Sequence, residues 1–164
     1  MKKSMLMAIA LTTTLSAFSN DEKIKSADHM AQELISSLKQ SSSVAFVELL
    51  PTLSDFYLIM DGNAHVYGPH LKEAKEEFAS VYTQSIIPNA KKSFESLLAD
   101  GKEHGINWKN VNFLRLEEIQ GSAEGSIASF DIVVSLDNKA FKIRVKNALQ
   151  VNGQWKVSQF VKLI

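Results

Sequence analysis

The stretch Phe141–Phe160, "FKIRVKNALQVNGQWKVSQF", alternates apolar and cationic residues and then breaks step at Asn152-Gly153. A period of two marks a strand with one face in a core and the other in water. Phe141, Ile143, Val145, Leu149 and Val151 make the oily side, with Lys142, Arg144 and Lys146 opposite. Beyond the turn, Trp155, Val157, Val161 and Leu163 are oily, with Lys156, Ser158, Phe160 and Lys162 opposite. The turn must keep these faces matched. A two-residue Asn152-Gly153 loop would set Leu149 against Lys156. A three-residue Val151-Asn152-Gly153 loop, with Gly153 left-handed in a bulge, sets Leu149 against Trp155, Val145 against Gln159 and Ile143 against Val161. The bulged hairpin is the expectation.

Working outward, the same period runs back to Ile106. "INWKNVNFLRLEEI" (106–119) and "AEGSIASFDIVVSL" (123–136) precede "KAFKIRVKNALQV" (139–151) and "QWKVSQFVKLI" (154–164), giving four strand candidates parted by Gly, Asn and Asp. In the second, Ala128, Phe130, Ile132, Val134 and Leu136 point one way and Ser129, Asp131, Val133 and Ser135 the other. An Asn138-Lys139 turn would set Leu136 opposite Phe141 and Asp131 opposite Lys146. The cationic row is then the solvent face of an antiparallel sheet whose other side packs on helices. Phe160 lands on that wet face beside Arg144, with Val133 on the next strand, an aromatic and an aliphatic among cations; a bulge in its strand would instead rotate it inward. Val133, Arg144 and Phe160 are the residues nominated for a partner surface.

Upstream the period is helical. Ile24, Ala27, Ala31, Leu34, Ile35 and Leu38 form one stripe from about Asp21 to Gln40. Val44, Val47 and Leu50 make a short helix stopped by Pro51, and Leu53, Phe56, Tyr57 and Met60 restart it. "DGNAHVYGP" (61–69) is rich in turn formers and reads as a loop, with "AHVY" at best a short strand. Pro69 then opens "HLKEAKEEFASVYTQSII", with Leu71, Ala74, Phe78, Val81 and Tyr82 inward. Pro88 kinks or splits that helix, which continues through Phe94, Leu97 and Leu98 to a cap at Gly101 or Gly105. Helices first and a meander last is the α+β pattern, with N-terminal amphipathic helices packed on a four-stranded antiparallel curved sheet.

The 164 residues are 45% apolar and 22% charged, enough for one domain with a core. Lys plus Arg equals Asp plus Glu at 18 each, so no net field draws the chain to nucleic acid or acidic lipid. "MKKSMLMAIALTTTLSAFSN" has the order of a secretory signal peptide: Lys2 and Lys3, an apolar run too short for a transmembrane span, then small residues up to Ser19. Residues 1–19 are assigned to the signal and 20–164 to a single domain, placed in a periplasmic or external space with no membrane span. Cysteine is absent, which excludes disulfides, a lipidated Cys and thiolate metal sites.

No motif announces chemistry. His65 and His70 flank Tyr67, but His-x4-His is not a standard ligand spacing, so neither metal nor cofactor is expected. Glu117 and Glu118 are adjacent on a strand and face opposite ways, whereas Arg115 and Glu117 share a face and make a salt bridge. No Gly-rich phosphate loop, nucleophile elbow or catalytic Cys occurs.

The helix-first order, the terminal "NGQWKVSQF" and "GINWKNVNFLRLEEI" together resemble the NTF2-like superfamily of cone-shaped α+β domains, over about residues 21–164. The likeness is nearest to its small exported members of unknown function. The resemblance implies a curved sheet around helices and a pocket at the open end of the cone, with His65, Tyr67 and His70 at its mouth. It departs from the usual pattern between the second and third helices, where only "NAHVYGP" stands for the customary hairpin. Enzymes of the superfamily place an Asp or His and a Tyr inside the cone; Asp55, Tyr57, Tyr82 and His65 are the types present here. The expected function is a non-enzymatic exported domain that binds a small apolar ligand or an envelope protein partner, or that dimerises through its sheet. The alternative is a cofactor-free lyase, isomerase or hydrolase. Fold alone does not choose between them.

Overall fold

The computed structural model describes residues 20–120 and 126–164; residues 1–19, where a signal peptide is expected, lie outside them. Helix α1 spans Asn20–Gln40, α2 Ser43–Glu48, α3 Leu53–Gly62, α4 Ala64–Tyr67, α5 Leu71–Val81 and α6 Ile87–Glu103. The strands are β1 Asn112–Glu118, β2 Ile127–Leu136, β3 Lys139–Val151, β4 Gln154–Lys156 and β5 Phe160–Leu163. They form one curled antiparallel sheet in the order β1-β2-β3, with β4 and β5 both paired to β3, and helices cover one face. The expected fourth strand is thus interrupted at Val157–Gln159.

Helix boundaries follow local chemistry. The Ser42 side chain caps α2, and Thr52 and Asp55 form a reciprocal capping box at the start of α3. The expected loop 61–69 is instead helical: α4 takes "AHVY", and a turn of 3-10 helix takes Gly68–His70, with Pro69 in its first turn. No strand forms there. Pro88 splits the long helix as expected, through a five-residue π turn, Tyr82–Ile86, in which the Ile87 N–H bonds back to the Tyr82 carbonyl. Pro88 lacks an N–H and would crowd a carbonyl one turn earlier, and the wider turn relieves both. Gly105 ends α6 with φ 71°, whereas Gly101 lies inside the helix, where a Cβ would overlap the Trp108 indole.

The core fills the space between α1, α2, α6 and the concave face. Phe46 stacks on Phe94 with centroids 4.8 Å apart, and Phe130 meets Trp155 edge-on at 5.0 Å. Trp155 is buried, as the strand faces required. The exposed edge of β4 and β5 is tied down by the helices. The Trp155 N–H donates to Ser26 Oγ, the Val157 N–H to the Leu49 carbonyl and the Val161 N–H to Ser93 Oγ. These bonds occupy donors that would otherwise template a further strand.

Both hairpins differ from expectation, for one reason. Asp137 and Asn138 turn with φ 50° and 62°, and Asn152 and Gly153 with φ 49° and 78°. These are two-residue turns left-handed at both positions, a conformation that Asn, Asp and Gly accept most readily. The first turn pairs Leu136 with Lys139 and Asp131 with Arg144, not with Lys146. The second pairs Leu149 with Lys156, the match that seemed to mix the faces. A bulge upstream resolves the conflict. Ala128 pairs with Ala148 and Phe130 with Val145, so β3 spends one extra residue there, and Asn147 takes φ 53°. Ser129 Oγ accepts the Asn147 N–H freed by the bulge, and Ser158 Oγ donates to the Lys146 carbonyl. Past the bulge Ala148 stays in the core, while Leu149, paired with Ile127, crosses to the opposite face.

The convex face carries ion pairs. Arg144 holds Asp131 with two bonds of 2.7 and 2.9 Å. Arg115 bridges Glu117 at 2.7 Å, as read from the sequence, and Lys142 reaches the same carboxylate at 2.7 Å. Glu117 is on β1 and Lys142 on β3, so their bond spans β2. It passes over Val133, whose strand neighbours are Arg115 and Lys142. The charged face is therefore wet above and dry beneath: Val133 is 2% exposed.

Candidate functional site

Helices α3, α4 and α5 form an arm that does not lie against the concave face. Its own apolar residues hold it together: the Phe56 and Phe78 rings are 4.7 Å apart, and Tyr82 closes on Phe56 at 6.0 Å. The Tyr82 hydroxyl donates to the Pro51 carbonyl at 3.0 Å, pinning one end of α5 to the start of α3. Lys75 bonds Asp61 at 2.6 Å and lies 5.2 Å from the centre of the Tyr57 ring.

Between this arm and the bulged end of the sheet opens a cleft of about 750 Å³. One wall comes from Phe56, Ile59 and Met60 of α3, Tyr67 of α4 and Ala74, Phe78 and Val81 of α5. The other comes from Ile127, Leu149 and Phe160, with Leu50, Pro51 and Ile86 at the junction. The polar lining is His70, Glu73 and Glu77 on the arm and Asn147, Ser158 and Gln159 on the sheet. Local register explains both walls. Positions 73, 74, 77, 78 and 81 recur at helical spacing along one face of α5 beyond His70, and the Asn147 bulge turns Leu149 outward to join its partner Ile127, which the β2 alternation already places there.

This cleft gathers some of the nominated residues and disperses others. Tyr67 and His70 of the expected mouth line it, with His70 paired to Glu73 at 2.7 Å, whereas His65 is exposed on α4 and lies outside the lining. Asp55 caps α3, accepting the Thr52 N–H at 2.7 Å. The Tyr57 hydroxyl donates to the Lys75 carbonyl at 3.3 Å, and that of Tyr82 is raised above its ordinary pKa of 10.0 by burial and by the charge of Asp55. Asp55, Tyr57 and Tyr82 are thus each engaged with the backbone nearby, and His65 stands outside the cleft. Among the described residues no group of three His, Asp or Glu is placed to hold a metal.

Of the residues nominated for a partner surface, Phe160 is exposed and Val133 is buried. Val133 is roofed by the Arg115–Glu117–Lys142 bridge, and Arg144 is committed to Asp131, which raises its pKa. Phe160 does point outward, 51% exposed, but its register partner is Lys146 and its ring lines the cleft. Sequence reading missed Leu149, Ile127 and the α5 face as site residues. The one signal for them was Asn147, a left-handed-tolerant residue inside a strand. The stretch Ser43–Gly62 is long and apolar enough to cross a membrane by length and composition. In this fold its large residues divide between the core (Phe46, Leu50) and the cleft (Phe56, Ile59, Met60).

Compared with known proteins, the chain matches no family model, no curated protein and no solved structure.

Proposed function

We propose that this chain is an exported, non-enzymatic binding domain of the NTF2-like kind that takes a small apolar ligand in the cleft between the α3–α5 arm and the sheet. The observation that carries this reading is the cleft itself. Its volume falls within the usual range for small-molecule sites of roughly 300–1,000 Å³, and aromatic and aliphatic side chains line both walls around a few polar groups. Helices first, then a curled antiparallel sheet, supports the family assignment. Less supports the enzymatic alternative, since Asp55, Tyr57 and Tyr82 are each engaged in a local backbone hydrogen bond and His65 is exposed on α4.

The test is titration of the full chain with N-phenyl-1-naphthylamine, a neutral apolar fluorophore. Saturable one-site enhancement is expected, weakened about tenfold or more by Val81→Asp, since a buried unpaired carboxylate opposes an apolar ligand by at least about 1.4 kcal/mol. Val81 is 44% exposed, so the variant should fold, which circular dichroism checks. Absence of saturable binding, or binding indifferent to Val81→Asp, would refute the reading.

A further inference from the structure

The charges around the same walls say which apolar ligands the cleft takes, an inference that rests on the reading just given. Among the described residues, neither Lys nor Arg lines the cleft. Lys146, across from Phe160, is exposed and outside the lining. Glu73 is engaged by His70, while Glu77, one turn along α5, carries no ion pair or hydrogen bond among the described residues. On the facing wall, Gln159 Oε1 is buried with no hydrogen-bond partner among the described residues. An apolar body seated here meets two carboxylates, one of them already engaged with His70, and among the described residues no Lys or Arg to pair with an anion. A ligand carboxylate would be repelled by the exposed Glu73 and Glu77, and the amides of Asn147 and Gln159 would offer it neutral donors without an ion pair. A ligand ammonium would gain charge-assisted hydrogen bonds from the same groups.

We infer that the cleft selects cationic amphiphiles, an apolar chain or ring bearing a positively charged nitrogen with N–H donors, over fatty-acid-like anions of the same size. Decylammonium, decanol and decanoate, each below its micelle-forming concentration, compete against the neutral fluorophore on the full chain at pH 7. Decylammonium is expected to bind about tenfold tighter than decanoate, with decanol between them, as one partly screened charge contact supplies. Glu77→Gln is expected to lower that ratio several-fold, while Glu103→Gln, exposed at the far end of α6, leaves it unchanged.

Equal or reversed affinities for the two ions would overturn the inference and leave the apolar cleft standing. A ratio that falls as far with Glu103→Gln would assign the effect to overall charge and overturn it too. If even the neutral fluorophore fails to bind, the underlying reading fails first. Exclusion of every probe by a chain that elutes as a dimer would place a second copy in the cleft and refute both.

Discussion

Helices α1 and α5 carry apolar stripes of the same spacing, yet they end in different surroundings. Ala27, Ala31, Leu34, Ile35 and Leu38 of α1 are buried against the sheet, whereas no residue of α5 is buried. The two differ in what faces them, not in amphipathicity. The concave face is filled by α1, α2 and α6, so the arm finds only its own aromatic cluster and the bulged end of the sheet. A helical stripe specifies which face seeks cover, and tertiary placement decides whether cover is found. Where it is not, the uncovered face becomes the wall of a site.

That contrast can be put to the test by mutation, beginning in the core. Phe94→Ala removes the stack on Phe46 and should cost about 3–5 kcal/mol in urea unfolding. Val81→Ser on the arm should change stability by no more than about 0.5 kcal/mol, as expected of a surface position. Comparable losses at both positions would mean that the arm is as much core as α6. Next comes the bulge: Asn147→Val forces a β-branched residue to φ 53° and should cost about 1–2 kcal/mol, while Asn147→Gly should be near neutral. Because the bulge aims Leu149, the Val variant should also weaken ligand binding.

A smaller effect is expected at Tyr82→Phe, which deletes the hydroxyl bond to the Pro51 carbonyl and should cost about 0.5–1.5 kcal/mol. Hydrogen exchange should quicken in α3 and α5 and stay slow in β2 and β3. Uniform quickening would contradict an arm that opens independently of the body. The slightest effect concerns the convex face. Hydrogen bonds from Lys142 and Arg115 hold the Glu117 carboxyl below its ordinary 4.5. A carboxylate depressed in the folded state stabilises above its unfolded pKa and loses that contribution as pH falls through the folded one. Melting temperature should therefore drop below pH 4.5 partly through Glu117, and Glu117→Gln should flatten that limb of the profile.

Sequence periodicity carried much of the fold because it reports local face segregation. The α1 stripe, the inward set on β2, the burial of Trp155 and the Arg115–Glu117 pair all follow from side-chain period alone. The bulge did not follow, since Val145, Leu149 and Val151 stand at odd positions and read as one face. The switch is hidden in Asn147 and in Ala148, too small to announce itself as core. Nor could spacing place the cleft, whose walls come from α3, α4, α5, β2, β3 and the Ser158–Phe160 segment. Asp55 and the two tyrosines looked available for chemistry because a helix cap and a hydroxyl on a carbonyl leave no trace in composition.

The π turn at Tyr82–Ile86 has one more implication, for how this molecule tolerates insertions and deletions. Removing a single residue there would rotate the arm by about 100° about its axis relative to α6. Ala74, Phe78 and Val81 would then swing out of line with Leu149 and Phe160. The body would still fold, but a greasy helical pair would project into water and invite self-association. Chain length at this one joint, more than the chemistry of any residue within it, keeps the apolar face of the arm from becoming a sticky one.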